Sequence, residues 1–159
     1  MNALAGSETA AIKGREGLKA AGKSWVASVY RDHRPLEAVW RRLEAEGYCT
    51  PFQTYDWASC WYETAVAHGL AEPVIAVFSR EGGHPAWILP LCLYRKKGLR
   101  VISFADLGVT DYAAPVIARD APRGRREIEG MIPALLGALP SCDLVHFQKL
   151  PAEIEGVSN

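Results

Sequence analysis

The sequence has no excess of charge of either sign, because 18 Lys and Arg residues balance 18 Asp and Glu residues. A domain that wraps nucleic acid carries a basic excess, so we expect no nucleic-acid partner. Long apolar runs are also absent, and the longest, residues 86–93, contains Pro90. Since a membrane-spanning helix needs about 18–20 apolar residues, we expect no membrane span and a cytoplasmic location.

Cysteine and histidine are few and scattered. No two of the four cysteines have the CxxC spacing; they are Cys49, Cys60, Cys92 and Cys142. The four histidines form neither an HExxH nor an HxH motif. Zinc ribbons and thioredoxin-type redox sites need such short spacings. We therefore expect reduced thiols and no metal site.

Length and composition favour a small globular protein. The 159 residues are 49% hydrophobic and 23% charged, which is typical of one folded domain. Residues 1–24 have few large apolar side chains, so we predict a disordered N-terminal tail. We place a single module at residues 25–151 and a tail or linker at residues 152–159.

A strand at 25–30 and two helices are predicted in the first half of the module. Pro35 suits the first turn of a helix, and an apolar stripe with helical spacing follows: Leu36, Val39, Trp40 and Leu43. Gly47 should end this helix. The second helix, 55–68, starts after Thr54 as N-cap and presents one face: Trp57, Trp61, Ala65 and His68.

Strands then dominate. Residues 73–79 are apolar nearly throughout, which predicts burial on both faces of a sheet. Residues 85–94 return as a second strand, in which Pro90 requires an edge, a bulge or a bend. Residues 99–104 complete an antiparallel meander, and a short strand is expected at 113–118.

A third helix and a last strand close the module. Pro133 should kink or break the helix at 125–139, whose apolar face is Ile128, Ile132, Leu135, Leu136 and Leu139. Residues 143–148 alternate as a final strand. The order of elements predicts an α/β fold of the α+β mixed-sheet type, with a central, mostly antiparallel sheet flanked by helices.

Four short motifs occur in the order seen in one family: PFQTYDW at 51–57 with Trp61, LPL at 89–91, Phe104 with DYAAP at 111–115, and DLV at 143–145 with LP at 150–151. Over residues 40–151 the chain resembles the N-terminal half of GNAT-superfamily acetyltransferases of cellulose or exopolysaccharide biosynthesis. These are related to FemAB-type aminoacyl transferases, which contain two GNAT-like modules in tandem.

The resemblance implies an N-acyltransferase that moves an acyl group from acetyl-CoA or another acyl-CoA to an amine or hydroxyl acceptor. It implies that a second GNAT-like module holds the acyl-CoA, so that this chain is a GNAT-like half-module. The implied partners are that second module or another copy of this chain, and a small-molecule, sugar or peptide acceptor. The alternative is a non-catalytic module that binds the acceptor or positions a partner.

Two segments approach the phosphate-binding pattern of GNAT proteins, Arg/Gln-x-x-Gly-x-Gly/Ala before a helix. Residues 95–100 end in Arg rather than Gly and lead into a strand, so a solvated hairpin turn is the expected structure. Residues 123–126 open a helix and could meet an anion, but they lack the glycine spacing. We therefore expect no acyl-CoA site in this chain alone.

The site residues predicted here are Asp111 and Tyr112 as catalytic candidates, with Gln53 and Trp57 joining them in substrate binding. A carboxylate beside a phenol in a loop after a strand could orient an acceptor and take its proton. The alternative is that Asp111 caps a turn and Tyr112 packs.

The tryptophans of the second helix allow two interpretations. Their rings could stack on a sugar, but Trp57 and Trp61 share the apolar face of the helix, so burial in the core is the simpler interpretation. Ser59 and Cys60 lie on the same helix with no base near them in sequence. A nucleophile is therefore not expected there.

Overall fold

A computed structural model describes residues 24–80, 82–154 and 157–158. The disordered tail predicted for residues 1–24 lies outside this range except for Ser24. These described residues form three α-helices, namely α1 (Glu37–Glu46), α2 (Tyr55–Ala67) and α3 (Arg125–Ala138). Short 3-10 turns at Arg34–Leu36 and Pro51–Gln53 precede the first two helices.

The strands are β1 (Trp25–Tyr30), β2 (Glu72–Arg80), β3 (Pro85–Lys96), β4 (Leu99–Phe104), β5 (Val116–Ile117), β6 (Leu144–Val145), β7 (Glu153–Ile154) and β8 (Val157–Ser158). The main sheet has the order β1-β2-β3-β4-β6, and β5 pairs with β3. All of its pairings are antiparallel except β4 with β6. The predicted mixed, mostly antiparallel sheet flanked by helices is confirmed.

Pro90 lies in β3, the central strand, and is buried. On one side it is opposite Ile75 of β2, and on the other it falls between the residues that pair with β5 and those that pair with β4. Its carbonyl accepts a hydrogen bond from the Ala105 amide at 2.8 Å. The proline therefore lies where β3 changes partners, rather than in an edge strand.

Side chains of β2 alternate between two cores, one on each face of the sheet. Val74, Ala76 and Phe78 face the core under α3, whereas Ile75 and Val77 face the core under α1 and α2. The prediction that this strand is buried on both faces is confirmed. The sheet is thus the middle layer between α1 and α2 on one side and α3 on the other.

The first helix packs as its sequence predicts, with Leu36, Trp40 and Leu43 buried. Gly47 follows its last residue, but its φ is −110°, so it is not a left-handed cap. A Cβ atom built there would lie 2.2 Å from the Ile117 carbonyl oxygen and 2.6 Å from that of Leu43. Glycine is needed because the two segments approach closely, not because the backbone turns left-handed.

The face that α2 buries differs from the predicted one. Its buried residues are Tyr55, Ala58, Tyr62 and Ala65. Trp57 and Trp61 are half-buried and pack against the edge of the core under α1 and α2, whereas His68 is exposed. The predicted packing of the tryptophans is therefore confirmed only in part, because neither ring is enclosed by the core. Tyr62 occupies the buried position that was predicted for a tryptophan. Its hydroxyl is satisfied there, because it donates a hydrogen bond to the Leu91 carbonyl at 2.9 Å.

The third helix runs without a break through Pro133, which lies on its exposed side. It buries Met131 and Leu135 against the sheet, while three residues of the predicted apolar face are exposed: Ile128, Ile132 and Leu136. The helix is therefore rotated relative to the expected orientation, and apolar side chains line its outer rim.

The last predicted strand is shorter than expected. Only Leu144–Val145 pairs, parallel to β4, and the side chains of Val145 and Phe147 are half-buried against the core. The Phe147 ring lies 5.1 Å from that of Phe104. Beyond it, β7 and β8 pair with each other within the segment predicted as a tail or linker. Its role as a linker stays a prediction.

Candidate acceptor-binding groove

A groove of about 410 Å³ lies between α2 and the loop that follows β4. We call it the α2 groove; its walls are Trp57, Cys60, Trp61, Thr64, Ala65, Leu70, Leu107 and Val109. The two tryptophans lie one helical turn apart on the same side of α2, and both are half-buried in this wall. Aromatic rings presented in a shallow groove are suited to bind a ligand with apolar faces.

Aromatic contacts connect this groove to the predicted site. The ring of Phe52, from the turn before α2, lies 5.9 Å from Trp57 and 4.9 Å from Tyr112. Both contacts are edge-to-face, the geometry that aromatic pairs favour. The structure thus brings Trp57 and Tyr112 together around one ring, although 55 positions separate them in sequence.

The remaining predicted residues lie in different surroundings. Asp111 is exposed and follows Val109, a wall residue of the α2 groove, by two positions. Gln53 is 2% exposed. Its side-chain oxygen accepts a hydrogen bond from Thr50, and its carbonyl accepts one from the Trp40 indole at 2.8 Å. This geometry connects Gln53 to the core, and its role in substrate binding stays a prediction.

Asp106 organises the loop that forms the far wall of the groove. One carboxylate oxygen accepts hydrogen bonds from the Thr110 amide at 2.7 Å and hydroxyl at 2.8 Å. The other lies 2.9 Å from the Lys149 ammonium, which also donates to the Thr110 carbonyl. The turn-capping role considered for Asp111 thus belongs to Asp106. The sequence carries no standard signal for this role, because an Asx turn bonds the amide two residues on, whereas Thr110 is four residues from Asp106.

Burial by itself raises the pKa of Asp106, but hydrogen bonds from Lys149 and Thr110 outweigh it and hold the pKa below its usual value. Such a carboxyl stabilises the fold above its unfolded-state pKa, and this stability is lost as the pH falls through the folded-state pKa. Replacing Asp106 by Ala should lower the free energy of unfolding at pH 7 by about 1.5–3 kcal/mol. It should also flatten the loss of stability below about pH 4.

Urea unfolding between pH 2.5 and pH 7 measures both effects. Asp111→Ala in the same loop is the matched control, because Asp111 is exposed and has no hydrogen bond or ion pair within the described part of the chain. The control should change stability by less than about 0.5 kcal/mol. Equal losses in the two variants would contradict the role assigned to Asp106.

All four cysteines lie in the described part of the chain, and none forms a disulfide. Cys60 is exposed in the α2 groove, whereas burial raises the pKa of the Cys92 thiol to about 12. Because the thiolate is the reactive form, N-ethylmaleimide should alkylate Cys60 at least about a hundredfold faster than Cys92. Time-resolved mass spectrometry measures the two rates, and similar rates would show that Cys92 is accessible.

A serine–histidine pair lies on another side of α2. The Ser59 hydroxyl and the His33 Nε2 atom are 2.9 Å apart, although 26 positions separate them. The base missing near Ser59 in sequence is therefore supplied by the tertiary structure. However, His33 is buried between the rings of Tyr55 and Tyr62, and no carboxylate orients it among the described contacts. This arrangement fits packing of α2 better than nucleophilic chemistry.

Neither segment considered for phosphate binding forms the glycine loop before a helix that the GNAT pattern describes. Lys97 and Gly98 have positive φ and form a two-residue hairpin turn between the paired residues Lys96 and Leu99. At the start of α3, the carboxylate of Glu127 occupies the first turn and accepts a hydrogen bond from Arg80 at 2.5 Å. The first turn of α3 thus already holds a carboxylate that is paired with Arg80, and the absence of an acyl-CoA site from this chain alone stays a prediction.

Within residues 24–80, 82–154 and 157–158, no group of three or more His, Cys, Asp or Glu side chains is placed to hold a metal ion. In the same residues, no helix has the length and apolar character needed to span a bilayer.

Comparison with known proteins found no family model, no curated protein and no solved structure that matches this chain. The resemblance to GNAT acetyltransferases therefore rests on the sequence motifs alone and stays a prediction.

Proposed function

We propose that this chain is the acceptor-binding module of a GNAT-like acyltransferase linked to exopolysaccharide or cell-envelope metabolism in the cytoplasm. The α2 groove holds a saccharide that carries the hydroxyl or amine to be acylated. The observation that carries the proposal is the pair of partly exposed tryptophans, Trp57 and Trp61, in the wall of a groove of about 410 Å³.

Trp57 and Trp61 pack against the core under α1 and α2, but part of each side chain stays accessible to solvent. Each ring forgoes part of the roughly 1.5–3 kcal/mol that full burial of a large apolar side chain contributes. A pyranose ring has apolar C–H faces that can recover this energy by stacking. The Phe52 contact holds the Trp57 ring by its edge, which supports the ring in a fixed orientation.

The loop beside the groove supplies the polar groups. Asp111 is exposed and unpaired within the described residues, so its carboxylate can accept a proton from an acceptor hydroxyl or amine. Tyr112 is half-buried against Phe52 and borders the same loop. In the complete enzyme the acyl-CoA belongs to a second GNAT-like module, either fused or supplied as a partner, and the present chain orients the acceptor.

Alkylation of Cys60 tests the proposal, because this thiol lies in the wall of the α2 groove. Cellotetraose and a chitosan tetramer provide hydroxyl and amine acceptors. At millimolar concentration, at least one should slow the reaction of Cys60 with N-ethylmaleimide. Trp57→Ala should weaken this protection roughly tenfold, because about 1.4 kcal/mol of stacking is lost.

Tyr30→Ala is the matched control. Tyr30 is also a partly exposed aromatic residue, but it lies on β1 and not on the α2 groove. This variant should keep the protection of Cys60 unchanged. If neither tetrasaccharide slows alkylation, or if the two variants lose protection equally, the groove does not bind saccharides.

A further inference from the structure

A groove of about 660 Å³ lies at the end of the sheet where β3 continues past the first residue of β2. Its volume is within the range of roughly 300–1,000 Å³ common for small-molecule sites. We call it the β3 groove; its wall includes Val66, Leu70, Pro73, Leu93, Arg95 and Arg100. It shares Leu70 with the α2 groove, whose wall contains no charged residue, but its own wall contains two arginines.

Arg95 and Arg100 lie directly opposite each other on β3 and β4. The Arg100 amide donates to the Asp143 carboxylate at 2.7 Å, and its carbonyl accepts from the Asp143 amide at 2.9 Å. Because both backbone groups of Arg100 bond away from β3, the two arginines form a non-hydrogen-bonded pair of the ladder. Such pairs have Cα atoms only about 4.5 Å apart, with their side chains close together on one face. The two guanidinium groups can therefore reach the same ligand.

No carboxylate neutralises either guanidinium. The ion pairs of the described residues include neither Arg95 nor Arg100. Glu72 also lines the groove, but it is paired with Arg31 at 3.4 Å, and the Asp143 carboxylate bonds the Arg100 backbone. Like charges directly opposite each other on neighbouring strands destabilise a sheet. A bound anion would remove this repulsion.

The backbone amide of Arg95 adds a third donor. In a non-hydrogen-bonded pair this amide points away from β4, towards the side where β2 lies. However, β2 begins with Glu72 opposite Leu93, so no strand residue lies beside Arg95 on that side. In the part of the chain that the structure describes, the Arg95 amide therefore has no backbone partner, and it faces the β3 groove.

We propose that the β3 groove binds a phosphate monoester with a small apolar body. The charge of about −1.5 to −2 that such a group carries at pH 7 matches two guanidinium groups, whose planar forks suit phosphate oxygens. The apolar body lies against Val66, Leu70 and Pro73. The site uses side-chain forks rather than a glycine loop, and it does not depend on saccharide binding in the α2 groove.

The test is an NMR titration of the full chain labelled with ¹⁵N, at pH 7 and constant ionic strength, with phenyl phosphate as the probe. The Arg95 amide signal should move downfield in proton frequency, with a dissociation constant below about 2 mM. Phenol, which lacks the phosphate, should leave the signal in place. An unmoved signal with phenyl phosphate, or an equal shift with phenol, would overturn the proposal.

Inorganic phosphate tests the apolar part of the proposal. It offers the same oxygens but no ring, so it should bind at least about fivefold more weakly than phenyl phosphate. Equal affinities would contradict the contact with Val66, Leu70 and Pro73. Because the readout is the Arg95 amide and not the alkylation of Cys60, failure here is distinguishable from failure of the saccharide proposal.

Substitutions in the β3–β4 hairpin locate the phosphate. Arg100→Gln removes one guanidinium and keeps the Arg95 amide as readout, so it should weaken binding of phenyl phosphate at least about tenfold. Arg95→Gln should cause a similar loss. Lys96→Gln is the matched control, because Lys96 carries the same charge in the same hairpin but does not line the groove; affinity should stay within about twofold. Equal losses in Arg100→Gln and Lys96→Gln would show only general attraction to a basic hairpin and contradict the inference.

Discussion

Replacing Trp40 by Ala should lower the free energy of unfolding by about 3–5 kcal/mol, enough to unfold a marginally stable domain. Trp40 is 0% exposed and lies in the core between α1, α2 and the sheet. Its ring contacts Tyr55 edge-to-face at 5.9 Å, and its indole donates to the Gln53 carbonyl at 2.8 Å. The substitution therefore leaves a cavity and an unpaired buried carbonyl at the same time.

Chemical denaturation measures this loss, and two variants separate its parts. Trp40→Phe keeps most of the ring but not the donor, so it should cost less than Trp40→Ala. Arg42→Ala, on the exposed side of the same helix, should change stability by less than about 0.5 kcal/mol. If Trp40→Ala cost no more than Arg42→Ala, α1 would not pack as described.

Replacing Gly47 by Ala should lower the free energy of unfolding by about 3 kcal/mol. The new Cβ would meet backbone carbonyl oxygens of Ile117 and Leu43, which cannot rotate away as a side chain can. Relieving such a clash costs about 1–3 kcal/mol. It also displaces the bridge between Tyr48 and Ile117, whose two hydrogen bonds are 2.7 and 3.0 Å long and contribute about 1 kcal/mol each.

Gly137→Ala is the matched control for this prediction. Gly137 lies in α3 with nothing within 4 Å of the built Cβ position. Alanine should therefore stabilise the protein by about 0.5–1 kcal/mol, because glycine is the poorer helix former. Thermal unfolding that shifts in the same direction for both variants would refute the close approach at Gly47.

The DYAAP and PFQTYDW segments predict a shared site, and the structure places Tyr112 and Trp57 against the same aromatic ring, Phe52. The role of this region in substrate binding stays a prediction. Within the loop after β4, however, Asp106 and not Asp111 makes the structural hydrogen bonds. Its partner Lys149 is 43 positions away, a distance that local patterns do not resolve.

The elements of this protein were determined by the sequence itself. Helical spacing marked Leu36, Trp40 and Leu43, and an apolar run marked β2, because these patterns report the periodicity of a single segment.

The orientation of a segment against its neighbours was decided only by the tertiary structure. The helical periodicity of α2 fits a buried face with Trp57 and Trp61 as well as one with Tyr55 and Tyr62. The second face is the buried one, because the Leu91 carbonyl of the sheet accepts a hydrogen bond from the Tyr62 hydroxyl. Likewise, α3 is rotated relative to the orientation that its sequence predicts, so Ile128 and Ile132 lie at the rim of a cavity. Core packing depends on several segments at once, and the pattern of one segment does not determine it.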